Sequence, residues 1–140
     1  MIILDTDHIP VLRYEGTIKY ELLNARLSST TDMIATTVIT LEEQMRDWLA
    51  HIHNAKVARK QIPIYFRLAK MFDFFARWHK VHFDDAAVDR FEQLKSRKTR
   101  IGTQDLKIAS IALAHDATLI SANLRDFRRV PGLRVENWLE

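Results

Sequence analysis

The chain opens Met-Ile-Ile-Leu-Asp, and that stretch limits the fold more than any other. Four apolar residues in a row are too few for a helix. No polar residue alternates with them, so the run reads as a short strand covered on both faces. Such a strand belongs in a parallel sheet flanked by helices. Its last residue, Asp5, then reaches the rim where α/β proteins keep their chemistry.

The rest of the chain repeats this alternation. Thr6 or Asp7 can cap a following helix, with Pro10 near its first turn. The first half of residues 33–40, "MIATTVIT", is β-rich and predicts a second strand. Thr40 and Glu43 have capping-box spacing and predict a helix over "LEEQMRDWLAHIHNA". A long helix is expected from about Ile64 to His79, with Leu68, Phe72, Phe75 and Trp78 on one face. A third strand follows over Lys80 to Phe83, then a helix over "DAAVDRFEQLKSR". "GTQDLKIASIALAHD" predicts another helix with Thr103 as N-cap. "ATLISA" and, after Pro131-Gly132, "LRVEN" give the fourth and fifth strands. With no repeat, linker or low-complexity tract, residues 1–140 read as one α/β domain around a parallel sheet of about five strands.

Composition narrows the function classes. No apolar run reaches membrane-spanning length, and the first residues lack the pattern of a signal peptide. Cysteine is absent, which excludes disulfides and thiolate metal sites and fits a cytoplasmic protein. The net charge of +3 is small but unevenly placed. Lys95, Arg97, Lys98 and Arg100 crowd "KSRKTR", and Arg125, Arg128 and Arg129 crowd "LRDFRR". Such clusters suit a polyanionic substrate, although a solvated surface also accounts for them.

Three acids fall at element junctions: Asp5 ends the first strand, Glu43 opens the helix after the second, and Asp105 opens a helix after the third. Right-handed crossovers put strand ends and following helix starts on one edge, so the three can converge there. Clustered carboxylates repel and raise one another's pKa unless a cation intervenes. Magnesium or manganese, hard ions that favour carboxylate oxygen and water, meets that need. Each acid also has a structural alternative. Glu43 can complete a capping box and Asp105 can complement a helix dipole.

The segments "ILDTDHI", "TVITLEEQ", "IGTQDLKIASIALAHDATLISAN" and "DFRRVPGLRVENW" resemble PIN-domain proteins of the VapC type, from Met1 to Trp138. That resemblance implies a three-layer α/β/α fold and a Mg2+- or Mn2+-dependent endoribonuclease. It also implies the toxin half of a toxin–antitoxin pair, often a homodimer, neutralised by a small antitoxin protein. By resemblance Asp5, Glu43 and Asp105 are the catalytic, metal-holding acids, with Glu42 leaving the register of the second open. The fourth family acid is matched by Asn123, with Asp126 three residues on, so either completes the metal shell. Thr6, Asp7, Thr103 and Ser121 are candidates for outer-shell or substrate contacts, and Gln104 for substrate. Asp7 also reads as a helix cap. Lys98, Arg100 and Arg125 are expected on RNA phosphates.

Other readings compete. "ILDTD" resembles the opening of haloacid-dehalogenase phosphatases, but Ser121 follows Asp84 and Asp85 where that family's order requires a hydroxyl before the paired acids. A PIN-like module that binds RNA or protein without cutting is the main alternative. His51, His53, His79 and His82 lack zinc-site spacing. The aromatic stretch "FRLAKMFDFFARWHKVHF" could offer an RNA-stacking surface but reads rather as core or dimer interface, and Trp48 and Leu49 as candidates to meet a partner.

Overall fold

A computed structural model describes Met1–Glu140. The chain runs β1 (Ile2–Leu4), a 3-10 turn (Pro10–Arg13), α1 (Ile18–Ser29), β2 (Ile34–Thr37), α2 (Val38–Asn54) and α3 (Ala58–Ala76). It continues through β3 (Lys80–Val81), α4 (Asp85–Ser96), α5 (Thr103–Ala114), β4 (Thr118–Ile120), α6 (Leu124–Phe127) and β5 (Arg134–Glu136).

The five strands form one parallel sheet in the order β3-β2-β1-β4-β5. β1 is central and pairs with β2 on one side and β4 on the other, so the strand order reverses at β1 and β4. In open α/β sheets, ligands bind at the carboxyl edge of such a reversal. Successive side chains of β1 point to opposite faces. Ile3 joins Leu119 under Ile108, Ile111 and Ala112 of α5 and Leu94 of α4. Ile2, Leu4 and Ile120 pack on the other face with Leu23 of α1 and Met71 and Phe75 of α3. Helices therefore cover both sides, which is the expected three-layer α/β/α arrangement. No helix is long and apolar enough to cross a membrane.

Several local expectations shift. Neither Thr6 nor Asp7 caps a helix, because only the short turn at Pro10–Arg13 follows and Ile9 precedes it without a side-chain cap. α1 was not legible, since Leu23 is its one buried residue and gives no apolar stripe. α2 begins at Val38, where the hydroxyl of Thr37 accepts from the Thr40 N–H, so Thr40 lies inside the helix and no capping box involves Glu43. α3 starts well before Ile64 and contains Pro63 near its beginning, at the expense of the bond to the Arg59 carbonyl. Leu68, Met71, Phe75 and Trp78 face the core, whereas Phe72 is exposed. Thr103 is the first helical residue of α5, and Gly102 is the N-cap. Before β5 the chain reverses through a turn closed by Leu133 N–H on the Val130 carbonyl, with Pro131 second and Gly132 third at φ +80°. That geometry asks for proline and glycine at those two positions.

Candidate active site

β1 ends at Leu4, and its pairing with β4 continues one step further, where the Asp5 N–H donates to the Ile120 carbonyl at 2.9 Å. Asp5 thus has a fixed backbone and a side chain only 5% exposed. Oδ1 accepts from the Thr6 N–H and Oδ2 from the Ser121 hydroxyl, both at 2.7 Å. Burial, and then the charge of Asp7, raises its pKa from 3.8 to about 7 against the lowering by those two donors. Asp105 adds a smaller increase.

Ser121 and Ala122, just after β4, and the adjacent His8 hold Asp7 in place. Its Oδ2 accepts from the Ala122 N–H at 2.9 Å and lies 3.3 Å from the Ser121 hydroxyl. Its Oδ1 meets Nδ1 of the fully buried His8 at 2.6 Å. His8 Nε2 accepts from the Trp138 N–H, so the ring proton is on Nδ1 and is donated to Asp7. Asp7 therefore caps no helix and is instead tied to the exit of β4 and to His8. His8, which sequence reasoning passed over, ties the C-terminal segment to this rim. Its only signal was its place directly after Asp7.

Glu43 stands more than one turn into α2, and its Oε1 accepts from the Thr6 hydroxyl at 2.9 Å. Burial raises its pKa most, the Thr6 bond opposes the rise, and the charges of Asp105, Asp47 and Glu42 add to it. Its neighbour Glu42 turns elsewhere, accepting from Gln104 at 2.7 Å and from Arg46 at 3.1 Å. Of the two, Glu43 is the one joined to Thr6 beside Asp5, and Gln104 is occupied in holding Glu42. Asp105 projects from the first turn of α5, the second of two helices between β3 and β4. Burial and the charge of Asp126 raise its pKa, the Asn123 amide opposes the rise, and Asp7 adds to it.

Asn123 and Asp126 are both present at the rim. The Asn123 amide donates to Oδ2 of Asp105 at 3.2 Å and to Oδ2 of Asp126 at 3.1 Å. Its N–H meets the Ser121 hydroxyl at 3.0 Å. Thr103 is exposed and makes no side-chain hydrogen bond here, so it is not brought into the site. Lys98, Arg100 and Arg125 are exposed and contact none of the acids.

The rim thus gathers Asp5, Asp7, Glu43, Asp105 and Asp126. The Lys and Arg ion pairs of the protein are Arg46–Glu42 and Arg134–Asp116, so no Lys or Arg neutralises any of these five acids. No three His, Asp or Glu side chains are drawn close enough to grip an ion directly. Their chemistry nevertheless fits Mg2+ or Mn2+. All the donors are hard oxygens, the acids are held against their own repulsion, and Mg2+ keeps several of its waters. None of the four surface cavities is lined by these acids.

No family model matches the chain. It is 46% identical over 46 residues to Ribonuclease VapC2 of Rickettsia felis, a match spanning 33% of this chain and 34% of that protein. It is 27% identical over 124 residues to the tRNA(fMet)-specific endonuclease VapC of Salmonella typhimurium, covering 86% of each. Its fold superposes with a TM-score of 0.70 and 26% identity on a chain of the Rickettsia felis VapBC2 complex bound to a promoter DNA fragment, covering 99% of both chains.

Proposed function

We propose, from the premise that the chain resembles VapC-type PIN-domain proteins in sequence and in fold, that it is a metal-dependent endoribonuclease. On this reading it is the toxin half of a toxin–antitoxin pair and works in the cytoplasm. The observation that carries the reading is the convergence of five carboxylates at the β1–β4 reversal with no Lys or Arg among them.

Asp5, Glu43 and Asp105, with Asp126 and the carbonyl of Asn123, would hold one Mg2+ or Mn2+ ion. Such an ion, when bound, acts as a Lewis acid that activates water and offsets charge on the attacked phosphate. The chain's own groups set the stage. Thr6 and Ser121 fix the orientation of the Asp5 carboxylate. Thr6 also holds Glu43 through Oε1 and leaves Oε2 free of protein partners. That oxygen, or Oδ1 of Asp105, can accept the proton of the attacking water. Lys98, Arg100 and Arg125 would screen flanking phosphates, which makes binding salt-dependent.

The substrate is RNA, in single strands or loops where bases can be splayed out. The name of the Salmonella relative makes a transfer RNA the first substrate to try. A small antitoxin and a second copy of the chain are the proposed protein partners. Leu49, Tyr65 and Phe66 are exposed apolar side chains on α2 and α3 of the kind such contacts cover.

A binding-only module is the competing reading. It is favoured by the Asn123 amide, which links Asp105 and Asp126 without any ion. Turnover decides between the two. Asp5→Asn should abolish divalent-dependent RNA cleavage in a folded chain, and cleavage at the normal rate would end the metal-acid reading.

A further inference from the structure

The most conspicuous unmatched charge lies away from the acids. Arg13 closes the 3-10 turn, and its Nη2 is the one buried side-chain nitrogen or oxygen without a hydrogen-bond partner. Burial pushes its pKa below the ordinary value. Its guanidinium carbon lies 5.2 Å from the centre of the Phe74 ring. A ring face offsets part of a cation's desolvation, but it leaves this donor with nothing to bind.

Arg13 stands between two adjoining cavities of about 200 and 480 Å3. Arg67 and Lys70 line the first, and Lys70 and Arg77 the second. Arg67 and Lys70 lie on α3 and Arg77 is its C-cap, at spacings of three and seven residues along the helix. Asp73 is the single acid in the lining, and none of the four cations forms an ion pair. Exposed cations need no explanation, but a buried unpartnered nitrogen among them does. Aromatic rings are interleaved with the charges: Tyr14 and Trp48 wall the first cavity and Phe74 the second.

We infer that this groove is a second binding site for the RNA strand, where Arg13, Arg67, Lys70 and Arg77 hold backbone phosphates and Tyr14 offers its exposed ring to a base. The inference deepens the ribonuclease reading and rests on it. Trp48 lies about 7.5 Å along α2 from Glu43 at the helical rise of about 1.5 Å per residue. Arg13 follows Asp5 through the chain leaving β1. Both α2 and the chain after β1 thus lead from the groove back toward the end of the sheet that carries the acids. An acidic protein segment would use the cations but not the rings, whereas a nucleic-acid strand uses both.

The test is made in an Asp5→Asn background, which keeps the strand whole. Binding of a short, mixed-sequence single-stranded RNA is followed by fluorescence anisotropy at a series of salt concentrations. The paired substitution Arg67→Ala and Arg77→Ala, at two exposed positions, should weaken Kd about tenfold. It should also make the slope of log K against log salt shallower by about 1.4, for two lost phosphate contacts. Lys70→Glu should act in the same direction. Unchanged affinity and slope in variants with native circular dichroism would overturn the inference. So would lost binding of a polyglutamate peptide with RNA affinity intact, which would assign the groove to an acidic protein. If the wild-type chain cuts no RNA, the ribonuclease reading fails, while weaker and less salt-dependent RNA binding by the variants still supports the groove.

Discussion

The Ser121 hydroxyl donates to Oδ2 of Asp5 at 2.7 Å, joining the ends of β4 and β1 across the reversal of strand order. This bond lowers the pKa of a carboxyl that burial and Asp7 raise to about 7. Ser121→Ala removes that donor. Supporting hydrogen bonds of this kind contribute about 10- to 100-fold to metal affinity or activity. Cleavage should fall by that range, and the acid limb of its pH profile should move upward because Asp5 ionises later. Steady-state rates across pH check both effects, and a lower rate with an unmoved limb would argue against this role.

Asp5 also sets a pH dependence of stability in the absence of divalent ions. Its folded pKa of about 7 lies above the reference value of 3.8, so the folded chain holds this proton more tightly than the unfolded chain. The resulting stability is fully present below about pH 4 and is lost as pH rises through 7. The full gap corresponds to about 4 kcal/mol. Asp5→Asn should therefore stabilise the metal-free protein at pH 8 and change it little at pH 4, as urea unfolding at the two pH values would measure.

Glu42 and Glu43 are adjacent but held differently. Glu42 is engaged by Arg46 and Gln104, and Glu43 by Thr6 beside Asp5. Glu43→Gln should cut RNA at least about 100-fold more slowly, and Glu42→Gln at close to the normal rate. Parallel cleavage assays would distinguish them, and the reverse ranking would put the register one residue earlier.

Asn123 supplies an amide donor between Asp105 and Asp126. Asn123→Asp replaces that donor with a third carboxylate. The metal-free protein should be destabilised by about 1 kcal/mol, as expected when hydrogen bonds to two half-buried carboxylates give way to like-charge repulsion. Added Mn2+ should restore more stability to this variant than to wild type. Thermal melts with and without the ion provide the comparison.

The parallel sheet was readable because β1 and β4 are short apolar runs between polar punctuation, whereas the order of the strands across it comes only from their pairing. Asp5 was readable for the same reason, since a charge at the end of a buried strand has few structural roles. The choice between Glu42 and Glu43 depends on where α2 starts, and Thr37 rather than Thr40 sets that start. Once Thr37 is the cap, Glu43 has no capping duty. The roles of His8 and Trp138 emerge only when the C-terminal segment packs back against β1's exit. The basic groove was illegible because Arg13, Trp48 and Arg67 come from three separate elements.

The central claim is that the acid rim cuts RNA with the help of a divalent ion. The most direct measurement is mapping of RNA ends after incubation with wild type and with folded Asp5→Asn, each with Mg2+ and with chelator. The account predicts new ends for wild type with Mg2+ alone. Equal cutting by Asp5→Asn, or by wild type in chelator, would contradict it.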